Sequence, residues 1–126
     1  MTVEAREGVV LAHNKQWPSD IYSMITGFIE PQESPVDAAC RETEEELGLK
    51  ADYSSLVGVY PYTERNQIVL VYHVRAEGSI VLGEEIDQVR VLSREELRGW
   101  PFGQDQMPGW PFGAGWAIRD WLDKTC

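Results

Sequence analysis

The sequence predicts an α/β fold, and three observations point that way. Short β-rich apolar runs stand at 9–11, 56–60 and 67–75. A strongly signalled helix lies between the first run and the others. A second helical stripe closes the chain at 114–124. Strands mixed with capped amphipathic helices read as an α/β fold. The chain has 126 residues, so one domain over 1–126 is the natural expectation. That length supports an apolar core without disulfide staples.

The elements follow in order. Residues 2–12 read as extended, around the apolar run Val9, Val10 and Leu11. His13 to Asp20 is polar and contains Pro18, which reads as a loop. Ile21 to Ile29 is apolar and β-rich, interrupted by Gly27. The helix then announces itself. Ser34 can cap it, Pro35 suits the first helical position, and Asp37 lies three residues after the cap. Gly48 suits the stop after Leu47, so the predicted helix runs over 35–47. Strands are predicted at 56–60 and 67–75, with shorter ones at 80–82 and 89–92. Ser93 is a cap for a short helix near 94–97. Residues 99–115 are rich in Gly and Pro and contain GWPFG twice. Two copies of five residues do not make a repeat architecture. In the closing helix, Trp116, Ala117, Asp120 and Trp121 are spaced for one buried stripe.

Composition narrows the function. Net charge is −10, which disfavours a phosphate-backbone binder, so no nucleic-acid polymer is expected as partner. No stretch approaches the roughly 20 apolar residues that span a bilayer, so no membrane partner is expected. The two cysteines, Cys40 and Cys126, suggest no disulfide framework. With no signal-peptide pattern, a cytoplasmic location is the expectation. A homodimer is left open. Clustered carboxylates that hold a cation would reverse the local sign and attract phosphates.

The carboxylates do cluster. At about 100° per residue, Glu42, Glu45 and Glu46 fall within an arc of about 100° on the predicted helix. Val36, Ala39, Cys40, Thr43 and Leu47 form an apolar stripe beside them. Like charges at these spacings cost about 0.2–0.5 kcal/mol per pair in an isolated helix. A solvated face would interleave lysines, yet none occurs before Lys50 in this segment. Arg41 or a cation could relieve the repulsion. All-oxygen carboxylate ligands suit Mg²⁺, with Mn²⁺ as the alternative.

Residues 27–49 resemble the Nudix box: Gly, five residues, Glu, seven residues, Arg-Glu-aliphatic-any-Glu-Glu-any-Gly-aliphatic. The fixed positions are met by Gly27, Glu33, Arg41, Glu42, Glu45, Glu46 and Gly48. Chance would produce that at roughly 10⁻⁸ per starting point. Thr43 stands where an aliphatic residue is usual.

The resemblance implies an α/β/α sandwich with a mixed β-sheet. It also implies a metal-dependent hydrolase of a phosphoanhydride bond in a nucleoside diphosphate linked to a group X. Glu42, Glu45 and Glu46 would be metal ligands, joined by a backbone carbonyl at Thr26 or Gly27. Glu33 and Arg41 would pair as a brace. Gly27 would allow a special backbone conformation, and Gly48 would end the helix. A further carboxylate, Glu85 by its spacing and otherwise Glu84, would complete the metal site or act as base. Catalysis would then rest on Glu45, Glu46 and Glu85, with a small-molecule nucleotide as substrate. The alternative is a catalytically idle Nudix-fold nucleotide sensor or interaction domain. Segment 24–49 is similar to the NADH pyrophosphatase-like branch, but 57–70 does not carry that branch's downstream motif, so X stays open. Trp17, Tyr60, Tyr62, Trp100, Trp110, Glu64 and Arg65 are weak candidates for the cleft. Trp116 and Trp121 read as core, Cys40 as a packed thiol, and His73 as structural or on a cleft wall.

Overall fold

The computed structural model describes residues 1–16, 22–25, 27, 29–62, 66–99 and 113–125. Trp17, Thr26, Glu64, Arg65, Trp100, Trp110, the side chain of Trp116 and nearly all of the duplicated GWPFG segment lie outside the described residues.

The elements are β1 (Thr2–Ala5), β2 (Gly8–Asn14), α1 (Pro35–Leu47), β3 (Lys50–Tyr62), β4 (Gln67–Glu77), β5 (Ile86–Leu92), α2 (Arg94–Arg98) and α3 (Gly113–Thr125). The strands form one sheet in the order β3-β4-β1-β2-β5. β1 and β4 run parallel and the other neighbours antiparallel, which makes the sheet mixed.

β2 explains why the sheet is covered on both sides. Its run Val9, Val10, Leu11, Ala12 is buried throughout, and period-two alternation sends successive residues to opposite faces. Val9 and Leu11 join Met24, Val71, Leu97, Ile118, Trp121 and Leu122 beneath α2 and α3. Val10 and Ala12 join Val3, Ile25, Ala39, Leu47, Leu49 and Val74 beneath α1. Two cores, one on each face, give the α/β/α sandwich that the sequence predicts.

α1 has the predicted bounds because its caps are strong. The Ser34 hydroxyl accepts the Asp37 N–H at 3.1 Å. Gly48 is left-handed at φ 68°, and its N–H donates to the Glu44 carbonyl at 2.9 Å. Thr43 fits the aliphatic position because its hydroxyl donates to the Ala39 carbonyl at 2.8 Å, leaving the methyl for the core. α2 carries a full capping box between Ser93 and Glu96.

The differences from expectation have local causes. Residues 2–12 are not one extended run, because a tight turn at 6–7 folds them into a hairpin. Within 21–29, Ser23 exchanges two backbone bonds with Ala12 and no ladder extends from it among the described residues. The strand expected at 80–82 does not form. The Val81 N–H donates to the Leu47 carbonyl at 2.8 Å and the Gly83 N–H to the Glu46 carbonyl at 2.9 Å. These bonds satisfy the open end of α1 instead of a sheet. β3 is longer than the predicted 56–60 because its polar start, Lys50 to Ser55, lies on a sheet edge and lacks an apolar signature. β5 begins at Ile86 rather than 89. Val36 is exposed and Ala38 buried, which shifts the apolar stripe toward the carboxylates. Asp120 is exposed and accepts the Tyr60 hydroxyl at 2.6 Å.

Leu47 is fully buried between α1 and the sheet. Leu47→Ala is expected to lower unfolding stability by about 2–5 kcal/mol, read as a lower denaturation midpoint in urea.

Candidate functional site

The acidic stripe lies on α1 beside the stripe that the sheet buries. Glu42, Glu45 and Glu46 each present an oxygen, and these atoms lie within 4.8 Å of one another. Among the described residues this is the cluster suited to a metal ion. Glu42 and Glu46 are half-buried, while Glu45 is exposed.

Arg41 organises the cluster. Its Nε donates to Glu33 Oε2 at 2.8 Å and its Nη2 to Glu33 Oε1 at 3.0 Å, a fork-to-fork pair. Glu33 Oε1 also accepts the Glu30 N–H at 3.0 Å, so the pair ties the loop before α1 to the helix. The Arg41 guanidinium holds the Glu33 carboxyl below the usual carboxylate range, and the Glu30 N–H adds to this. Glu33 in turn raises the pKa of Arg41. The sequence predicted this brace, and it named Arg41 as one group that could relieve the carboxylate repulsion. Arg41 Nη1 donates to Glu42 Oε1 at 2.8 Å and to Glu45 Oε2 at 3.1 Å. The i,i+4 spacing of Arg41 and Glu45 carried that signal.

Arg41 does not neutralise the whole cluster. Burial pushes the Glu46 carboxyl up, and the charges of Glu85, Glu42, Glu45 and Glu84 push it further. Burial also raises Glu42; Arg41 opposes that rise, while Glu45 and Glu85 add to it. Glu46 Oε2 is buried with no hydrogen-bond partner. An orphaned buried carboxylate oxygen facing other carboxylates is the donor set a hard divalent cation completes.

Glu85 approaches from the β2–β5 side. It shares a small cavity with Glu46, Ala12, Asn14, Met24, Ile25 and Ile86. Its charge acts on both Glu42 and Glu46. Of the two expected candidates, Glu85 is the one that lines this cavity with Glu46.

Gly27 has a role of space. A Cβ built there would lie 2.4 Å from Glu42 Cδ, so the strand-side loop and the Glu42 carboxylate approach as only glycine permits. Beyond Glu42 opens a mainly apolar groove lined by Ile25, Ile29, Leu70 and Tyr72. Nothing in the spacing of these residues announced it.

Other candidates fall away from the carboxylates. Tyr62 and Trp121 are in the core beneath α3. Tyr60 is tied to Asp120. His73 is buried, with Nε2 3.2 Å from Glu4 Oε1 and its ring centroid 4.8 Å from that of Trp121.

A family model, the NUDIX domain, matches residues 1–110. The chain belongs to the NUDIX domain family. Among curated NUDIX relatives, the NAD-capped RNA hydrolase NudC of Pseudomonas putida is 30% identical over 98 residues, 76% of this chain and 36% of that protein. The human NAD-capped RNA hydrolase NUDT12 is 29% identical over 90 residues, 70% of this chain and 20% of that protein. The chain thus spans about a third or less of the length of these relatives. A NUDIX hydrolase crystal structure from Nitrosomonas europaea aligns with TM-score 0.72 at 21% identity, covering 97% of this chain and 69% of that one. A C. elegans Ap4A hydrolase aligns with TM-score 0.70 at 15% identity, covering 98% and 94%. These two likenesses establish the NUDIX fold.

The sign of the Glu46 shift sets a stability expectation. A carboxyl whose folded-state pKa is raised stabilises the fold below its unfolded pKa and loses that contribution as pH rises through the folded value. At pH 7 without metal, Glu46 is therefore a burden on stability. With chelator present, Glu46→Gln is expected to melt at the same or a higher temperature than the parent at pH 7, and the difference is expected to shrink near pH 4. A clear drop in melting temperature at pH 7 would contradict this electrostatic reading.

Proposed function

We propose that this chain is a divalent-metal-dependent pyrophosphohydrolase that cleaves a phosphoanhydride bond in a nucleoside diphosphate linked to X. One observation supports it above the others: the buried, unpartnered Glu46 Oε2 within a group of carboxylates. Glu42, Glu45 and Glu46 would hold Mg²⁺ or Mn²⁺, and Glu85 would complete the site or take the proton of the attacking water. A cation held there neutralises phosphate charge and acidifies a bound water.

The remaining roles belong to the chain's own residues. Arg41 and Glu33 hold the loop against α1, so the carboxylates stand ready before substrate arrives. Gly27 lets Glu42 sit close to the loop backbone. The groove of Ile25, Ile29, Leu70 and Tyr72 starts beside Glu42 and suits an uncharged, flat group such as a base or nicotinamide ring. The reaction is displacement at phosphorus by water, giving a nucleoside monophosphate and phosphorylated X. The curated relatives are named NAD-capped RNA hydrolases, which favours an NAD group, free or as an RNA cap, as the first compound to try.

The deciding experiment is a hydrolysis screen of nucleotides, dinucleotides and nucleotide sugars with product identification. Nucleoside monophosphate released in the presence of Mg²⁺ and abolished by chelator is the expected result. Glu46→Gln is expected to lower kcat by at least about 10²-fold. Unchanged turnover in this variant at saturating Mg²⁺ would sink the assignment and favour an idle nucleotide-binding domain. Chelation is expected to remove activity yet leave the circular dichroism spectrum folded, because neither core contains these carboxylates. Gly27→Ala is expected to keep the fold but weaken Mn²⁺ binding by roughly tenfold, because its Cβ displaces Glu42.

A further inference from the structure

The start of β5 is irregular at a telling place. β2 and β5 pair in regular antiparallel register from Val9↔Leu92 to His13↔Gln88, but the next pair is Asn14↔Ile86. Asp87 is therefore an extra residue on β5, a β-bulge. The packing records it. Val89 and Ile86 both pack in the core beneath α1, although residues three apart in a regular strand face opposite ways.

The bulge changes where Glu85 stands. In unbroken register Asn14 would face Asp87 and Lys15 would face Ile86. Glu85 would then lie one residue, about 3.3 Å, further along. With the bulge, Glu85 comes opposite Lys15, whose N–H donates to its carbonyl at 2.9 Å. From there it lines the same cavity as Glu46.

The extra residue is also held. Asp87 Oδ1 lies 2.5 Å from His13 Nδ1. The His13 ring is buried, while the Asp87 side chain is about two-fifths exposed. The Tyr22 hydroxyl donates to Gln88 on the next residue, and the His13 and Tyr22 ring centroids are 5.7 Å apart. The buried His13 ring needs a polar partner, and Asp87 supplies it from the extra position on β5. Clamping Asp87 also keeps the strand in its bulged register.

We propose that Asp87 and His13 are positioning residues: their hydrogen bond locks the bulge that presents Glu85 to the α1 carboxylates. The proposal rests on the reading of Glu85 as part of the metal site. It acts through backbone register, so neither residue needs to touch metal or substrate.

A double-mutant cycle on the full chain tests it, with Mn²⁺ alone as the probe and binding followed by titration calorimetry. Asp87→Ala is expected to weaken Mn²⁺ binding by about tenfold, the usual scale for groups that orient ligands. Its melting temperature in chelator should fall only modestly: no cavity opens at the partly exposed Asp87, and the cost is the lost bond to the buried His13 ring. Asp87→Asn, which can still bond to His13, is expected to restore most of the affinity. Glu85→Gln should weaken Mn²⁺ binding at least as much. Adding Asp87→Ala to Glu85→Gln should cost almost nothing further, because the lock then has nothing to place. Full additivity, or Asp87→Ala within twofold of the parent, overturns the lock while leaving Glu85 as ligand. A silent Glu85→Gln overturns the Glu85 reading itself and the proposal with it.

Discussion

Concentrated negative charge on one turn and a half of α1 is the constraint around which the rest of this protein is arranged. Three carboxylates within 4.8 Å of one another oppose the folding of an isolated helix. The helix forms because its other side is fully committed. Ala39, Thr43 and Leu47 are buried, Ser34 and Gly48 close its ends, and Val81 and Gly83 bond to its last carbonyls. Packing and capping fix the backbone, and the charges ride on it without freedom to spread apart.

Arg41 manages the conflict without removing it. Two of its nitrogens are spent on Glu33, and the third is shared between Glu42 and Glu45. No hydrogen bond reaches Glu46 Oε2. The result is a cluster with two carboxylates restrained and one left demanding a partner. A more complete neutralisation by lysines would remove the repulsion that the cluster retains. The site is thus electrostatically unfinished by construction, which is how stability is exchanged for binding at many functional sites.

The sheet contributes through its edges and ends. α1 covers one face and α2 with α3 the other, so the carboxylates emerge only along the margin of α1, where the loops meet it. Gly27 brings one loop against Glu42, and the turn before β5 brings Glu85 toward Glu46. The apolar groove beside Glu42 is walled by β4 and the residues preceding α1. Charge and apolar surface thus adjoin beside Glu42.

The box at 27–49 made α1, its caps, its acidic stripe and the Glu33–Arg41 brace legible from the sequence, because each depends on neighbours within about one or two helical turns. Local spacing is enough to decide such features. The family and the α/β/α class followed from the same segment. Strand limits were less legible. β3 begins in polar residues on an edge, and 80–82 spends its donors on α1, so burial did not write its usual pattern there. Two features belong to the tertiary structure alone. They are the groove of Ile25, Ile29, Leu70 and Tyr72, and the bulge at Asp87. Each joins groups whose relative placement depends on how segments distant in sequence pack or register. A one-residue change in pairing is invisible in composition and periodicity, yet it decides where Glu85 stands relative to the acidic face of α1.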